Sequence, residues 1–431
     1  FPTRRSSDLL PRNARVVVEH LGVQLEDGSE LATLGPFRAE FDRTPELLHG
    51  RVLPDGPQQG IRLGIDTSLP LDGTGATFVV DIGPVTLAAL GIHEGQFGLT
   101  GVGAASAVLK AQGSLDLPRR RAHLSTSGGV SNLGALWPKL SAQALSGLTL
   151  RWDAEVDAGT DGSDVSVPKL SLQAGEIRCE ASGAVHRTHD ALSVDLSVQI
   201  PLATCQSFLD AAPVGLLPTV ADAKLGGTFA LRSAVHFDSQ HPAQTTVTWD
   251  MDNQCRVLAV PVAVSPERLR GVFTFEAPGP DSRPVSITTG PGSARWVPIE
   301  HMSRHLETGV LISEDWGFYR HDGFDNRAIQ SSIRDNLTKG TFVRGASTLT
   351  MQLAKNLFLQ REKTLSRKLQ EAVLTTMLEQ QFSKSELLEL YFNVVEFGPG
   401  LYGIGPAAQY YFNTTADRLT LAQSLFLTSI L

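Results

Sequence analysis

GASTLTMQLAKNLFL (residues 345–359) and SRKLQEAVLTTMLEQQFSKSELLELYFN (366–393) decide how the last third of this chain folds. In the first, Leu349, Leu353, Leu357 and Phe358 recur at helical spacing, and Ser347 or Thr348 stands where a hydroxyl can cap the first turn. Over about 363–381, which enters the second, Leu365, Leu369, Val373 and Met377 are expected to form the apolar stripe of one helix. SKSE (383–386) then reads as a capping box, in which Ser383 caps and Glu386 reaches back. Leu387, Leu388, Tyr391 and Phe392 supply the buried face of the helix it opens. Pro406 suits the first turn of a helix over AAQYYF, and TLAQ (420–423) is a second capping box.

Upstream the periodicity changes from helical to alternating. LTLRWDAEV (148–156), LSVDLSVQI (192–200), FALRSAVHF (229–237) and VTWDM (247–251) each place apolar side chains on every second residue. That is the pattern of a strand with one face wet. Turn-forming clusters such as EDGSE, LPDGPQQG, DAGTDGSD and EAPGPDSRP separate the runs. Residues 10–290 are therefore expected to be all-β and mostly antiparallel, with a short helical insertion near 203–224. GPDSRPVSITTGPGSARW (279–296) reads as a linker with a last strand, and residues 291–431 as a mainly α domain. The strand-after-strand texture loosely resembles the periplasmic AsmA/TamB-like β-groove proteins, with a β-sandwich as the rival arrangement.

The chain has 431 residues, 42% of them hydrophobic and 19% charged, which suits two or three globular domains. A net charge of −8 argues against a nucleic-acid partner, which would call for a basic excess. Cys179, Cys205 and Cys255 form no CxxC or Cys/His cluster, so no zinc site is expected. Cys205 with Cys255 is the pair chosen for a disulfide in an oxidising compartment; three buried free thiols are the equal alternative. No window approaches 18 apolar residues, so no spanning helix is expected. The opening FPTRRSSDL (1–9) resembles a translated sequencing adapter and is set apart from the fold; the chain is expected to be a fragment at both ends, with any anchor lost.

Three stretches carry chemistry. Glu314 and Asp315 precede Trp316 and Phe318. A carboxylate partly desolvated by aromatics is suited to acid–base work, although a solvated helix end is the plainer reading of this stretch alone. Arg367, Lys368 and Glu371 share one helix face by their i,i+3 and i,i+4 spacing, and Lys355 can add a third cation. Such a set suits a phosphate-bearing ligand, against a surface ion pair as the alternative. GASTLT (345–350) offers hydroxyls and helix N-terminal amides, an anion cradle or a plain cap. His321 alone reads as a structural histidine.

EDWGFYRHDG, GASTLTMQLAKNLFL, RKLQE, KSELLELYFN and GPGLYGIGPAAQYYF occur in this order over about 296–431, and together they resemble the glycosyltransferase family 51 domain of class A penicillin-binding proteins and monofunctional transglycosylases. The resemblance implies a lysozyme-like peptidoglycan transglycosylase fold, truncated at the C-terminus. It implies an inverting polymerisation of lipid II with release of undecaprenyl diphosphate. Glu314 takes the role of general base and Glu371 that of the second essential carboxylate. Asp315, Ser347, Thr348, Gln352, Lys355, Asn356, Arg367 and Lys368 are implied as substrate-binding. Met351 stands where relatives carry a first Gln. No metal site is assigned, and Glu371 would either orient its cations or hold a divalent ion such as Mg or Mn. The implied partners are lipid II, the growing glycan strand, the membrane surface and envelope or divisome proteins, at the periplasmic face of the inner membrane. Two other functions compete: a lysozyme-like glycan hydrolase, and an envelope scaffold or lipid-binding protein with a passenger transferase.

Overall fold

The computed structural model describes residues 13–27, 30–54, 63–278, 283–360 and 362–431. The segment 1–9 and part of LPDGPQQG lie outside the described residues. The alternating runs form strands β1 (Arg15–Asp27), β2 (Glu30–Arg43), β3 (Leu47–Pro54), β4 (Leu63–Pro70), β5 (Gly75–Thr86), β6 (Leu99–Thr100), β7 (Ser106–Asp116), β8 (Arg121–Ala135), β9 (Leu145–Gly159), β10 (Asp164–Ala174), β11 (Ile177–Arg187) and β12 (Leu192–Thr204). After α1 (Cys205–Asp210) come β13 (Lys224–Gly226), β14 (Thr228–Asp238), β15 (Thr246–Asn253), β16 (Arg256–Ala259), β17 (Phe273–Pro278) and β18 (Pro284–Thr289). The helical insertion near 203–224 is thus the short α1 followed by turns.

Fourteen strands join in one antiparallel sheet that follows chain order from β1 to β15, with β6 added beside β8; β13–β16 and β17–β18 are separate pairs. One hydrogen-bonded sheet replaces the rival sandwich. Its register produces two unlike faces. Ala39, Val52, Ile65, Val80 and Ala111 are partners in turn, and their row continues through Thr126, Ala154, Leu170, Ala181, Val198 and Ser233 to Trp249. The adjacent row, Asp81, Lys110, Ser127, Asp153, Ser171, Glu180, Gln199, Arg232 and Asp250, is polar throughout. Aromatic rings lie across glycines of the next strand: a Cβ at Gly113 would sit 2.3 Å from the Phe78 ring, and one at Gly128 2.4 Å from Trp152. The accessible surface is 24230 Å², against roughly 16,000 Å² expected for a compact monomer of this mass. An extended single-layer sheet accounts for that excess.

The helical part comprises α2 (Arg304–Ser313), α3 (Asn326–Lys339), α4 (Leu349–Phe358), α5 (Leu365–Gln381), α6 (Lys384–Val394), α7 (Ile404–Phe412) and α8 (Leu421–Thr428). Both capping boxes form, at Ser383/Glu386 and Thr420/Gln423, and Thr348 rather than Ser347 caps α4. Leu306, Leu353, Leu374, Leu378, Tyr391 and Phe392 are buried together. The same core takes in Leu217, Val220, Phe273, Phe275 and Ile287, so it crosses residue 290; Phe275 meets Tyr402 edge-on at 6.2 Å.

The expected stripe on α5 is corrected. Leu365 and Leu369 are exposed, Val373 is half-buried, and only Met377 of the four is buried. Ser366, Gln370 and Glu371 turn inward instead. The first half of α5 faces backbone polar groups and cations, so its inner positions are polar; the apolar periodicity resumes at Leu374.

Cys205 and Cys255 form a disulfide, with Cα atoms 5.6 Å apart and a sequence separation of 50; Cys179 is free. A closed loop of that length stabilises by about 4 kcal/mol in the chain-entropy treatment. Reduction is therefore expected to shift the urea midpoint to lower concentration. An unchanged midpoint with and without reductant would show that the bridge contributes nothing.

Candidate active site

The site is assembled around the N-terminus of α4. Thr348 caps it by accepting from the Met351 amide, and its own hydroxyl donates to the Gly323 carbonyl at 2.8 Å. Asp315 accepts from the Leu349 amide at 3.0 Å, placing a carboxylate against the positive end of the helix. The other Asp315 oxygen meets His321 Nε2 at 3.0 Å, while His321 Nδ1 accepts from the Gly323 amide. That arrangement puts the proton on Nε2, which donates to Asp315. Gly323 is required here: its φ is +93°, and a Cβ would fall 2.6 Å from Thr375 Cγ2. His321 is thus structural. Asp315 and Thr348, expected to bind substrate, are both buried, and their hydrogen bonds fix the start of α4.

Glu314 closes the C-terminus of α2 and is half-buried. The expected aromatic desolvation does not occur: Trp316 is 71% exposed and Phe318 is turned into the core. The neighbours of Glu314 come from α4 and α6 instead. Gln352 Nε2 donates to Glu314 at 2.9 Å, and Tyr391 OH donates to Gln352 Oε1 at 3.0 Å. Burial, and then the charges of Glu314 and Asp315, push the Tyr391 phenol up, which keeps it a donor.

Glu371 is the most deeply buried charge in the site, at 1% exposed. Arg367 bonds one of its oxygens and Lys368 the other, at 2.8 Å. Lys368 also donates to Ser347 at 3.0 Å, which ties α5 to the start of α4. Burial, then the cations Arg367 and Lys355, push the Lys368 amine down to about 8; burial lowers Arg367 as well. Since both oxygens of Glu371 are occupied by cations, its surroundings fit an orienting role better than metal ligation. Asp315, His321 and Asp325 lie within 4.8 Å of one another. All three are committed to hydrogen bonds, Asp325 as the cap of α3.

No direct contact among the described residues joins Glu314 to Glu371; α4 connects them. Gln352 reaches Glu314, Ser347 takes Lys368, and Lys355 and Asn356 follow Gln352 by one turn, half-buried. The sequence reading missed the Gln352–Tyr391 relay as a site element. It also missed Glu379, whose side chain is 6% exposed and holds Lys384 at 2.8 Å and the Thr350 hydroxyl at 2.5 Å. Glu379 lies two turns beyond Glu371, and that i,i+8 spacing was the available signal. A cavity of about 560 Å³ lies elsewhere, on the polar face of the sheet between charged residues such as Asp153, Lys169 and Glu180. It carries no convergent catalytic set.

Residues 282–431 match the family model described as Transglycosylase. The chain is similar to proteins named biosynthetic peptidoglycan transglycosylase from three organisms. It is 47% identical to that of Nitrosomonas eutropha over 137 residues, 32% of this chain and 56% of the relative. It is 48% identical to that of Paraburkholderia xenovorans over 129 residues, 30% of this chain and 54% of the relative. With that of Dechloromonas aromatica the figures are 46% over 125 residues, 29% and 54%. The chain spans about half the length of the curated relatives it matches.

Proposed function

We propose, from the premise that residues 282–431 form a transglycosylase-family domain, that this chain polymerises lipid II into glycan strands and releases undecaprenyl diphosphate. The observation that carries the reading is a carboxylate and a cation cluster both tied to α4 and its start: Glu314 on Gln352, and Arg367 and Lys368 on Glu371, with Lys368 on Ser347 and close enough to Lys355 to feel its charge. The acceptor sugar hydroxyl loses its proton to Glu314 as its oxygen bonds to the anomeric carbon. The bond from that carbon to the diphosphate oxygen breaks with inversion, and the cations take up the negative charge of the departing diphosphate. Ser347 and Asn356 line the approach as hydrogen-bonding groups, and Glu371 holds Arg367 and Lys368 in place. A lysozyme-like arrangement of the helices belongs to the same proposal.

A hydrolase acting on finished glycan has a neutral leaving group and no use for such a cluster. No helix among the described residues is long and apolar enough to cross a membrane. The periplasmic face of the inner membrane, the membrane surface and envelope partners are inferred from the lipid-linked substrate. Incubation with lipid II should consume it and yield lengthening glycan. Shortening of preformed glycan with lipid II untouched would overturn the reading in favour of a hydrolase.

A further inference from the structure

α5, the helix that bears Arg367, Lys368 and Glu371, is held from outside the transferase segment. Its first amides are the donors that a helix end leaves unpaired. Here Leu365 N–H donates to the Lys139 carbonyl at 3.1 Å and Ser366 N–H to the Leu140 carbonyl at 2.9 Å, both in the loop between β8 and β9. The Ser366 hydroxyl donates to the Leu216 carbonyl at 2.5 Å. One turn on, Gln370 Oε1 accepts from the Thr219 amide at 2.7 Å, and its Nε2 donates to Ser366 Oγ at 3.3 Å. Both residues are 5% exposed. At the far end of the helix Gln380 accepts from Val257 N–H at 3.0 Å and donates to the Cys255 carbonyl at 3.2 Å, beside the disulfide.

Apolar packing alone would let a helix rotate or slide by a fraction of a turn. Directional bonds to fixed backbone groups set its phase. Residues 366 and 370 take those bonds, while on the same two turns Lys368 reaches Ser347 beside α4 and Glu371 holds both Lys368 and Arg367. We propose that the β-rich region is a positioning element of the transfer reaction: backbone groups at Lys139, Leu140, Leu216 and Thr219 lock the first turns of α5 through Ser366 and Gln370, and so aim Arg367 and Lys368 at the diphosphate. Ser366 and Gln370 act only through their neighbours. A misplacement of about 1 Å in such groups can cost on the order of 100-fold in rate. The inference rests on the transferase reading above.

The test uses the full chain, with Gln370→Met, Ser366→Ala and the conservative Ser366→Thr. It has two readouts, titration with inorganic pyrophosphate and steady-state turnover of lipid II across pH. Gln370→Met is expected to weaken pyrophosphate binding and to lower kcat/KM at least about 10-fold, mainly through KM. Ser366→Ala should lose more than Ser366→Thr. The basic limb of the pH profile, near the Lys368 value of about 8, should move upward as the loosened amine gains solvent. Wild-type constants and an unmoved limb in Gln370→Met and Ser366→Ala would overturn the proposal, as would losses that merely follow the folded fraction. Pyrophosphate binding that weakens in the variants while wild type ignores lipid II would sustain the positioning role and sink the transferase reading. Wild type that neither binds nor turns over would sink both.

Discussion

Glu314→Gln is expected to abolish lipid II polymerisation while leaving the fold intact. Glutamine keeps the size of the side chain and can still accept from Gln352, whose 2.9 Å bond to Glu314 is the side-chain contact that places it. What it loses is the ability to receive a proton. General-base catalysis contributes about 10²- to 10⁴-fold, and rate should fall by that much. Glu314 is half-buried at the end of α2, and the buried ion pairs of Arg367 and Lys368 run to Glu371 instead, so thermal unfolding should move little. Quantifying chain growth from lipid II with both proteins, at matched folded fraction, decides the matter. A variant that retains turnover would remove Glu314 from the mechanism and leave the acceptor hydroxyl without a base.

Glu371→Ala should do damage of a different kind, to stability as well as rate. The side chain is fully enclosed and neutralises two cations, Arg367 at 15% and Lys368 at 43% exposed. Removing one partner of a buried ion pair costs about 3–5 kcal/mol, because the remaining charge is stranded away from water. The partial exposure of Lys368 places the expectation near the low end, about 3 kcal/mol. Urea unfolding should register this as a lower midpoint, and residual activity should fall to background even where the variant is folded. A change below about 1 kcal/mol would mean that the triad is held by its surroundings and that Glu371 compensates little.

The strand pattern of residues 10–290 was legible because alternation over five or more residues has one physical meaning, a sheet with unlike faces. LSVDLSVQI and FALRSAVHF pair across β12 and β14 with Val194 opposite Phe237, Leu196 opposite Val235 and Ile200 opposite Leu231. The caps at Thr348, Ser383 and Thr420 were legible because they are local chemistry. Two features were not. The stripe assigned to α5 assumed that buried means apolar, whereas Ser366 and Gln370 are buried against backbone groups of residues 216 and 219, about 150 positions away, and no local pattern reports such partners. Likewise the neighbourhood of Glu314 was sought in Trp316 and Phe318, its sequence neighbours. Its surroundings come from Gln352 on α4 and, through it, Tyr391 on α6.

Because most strands of the large sheet lie beside the strand of that sheet before them in the chain, most new strands find a ready template as soon as they emerge. Pairing can advance like a zip from the first hairpin, with little loop entropy to overcome at each step. The carbonyls that receive α5 would then already be in place when that helix forms, making the catalytic end the last part to mature. The same architecture tolerates gain or loss of whole hairpins midway along the sheet, since each strand pair answers only to its immediate neighbours.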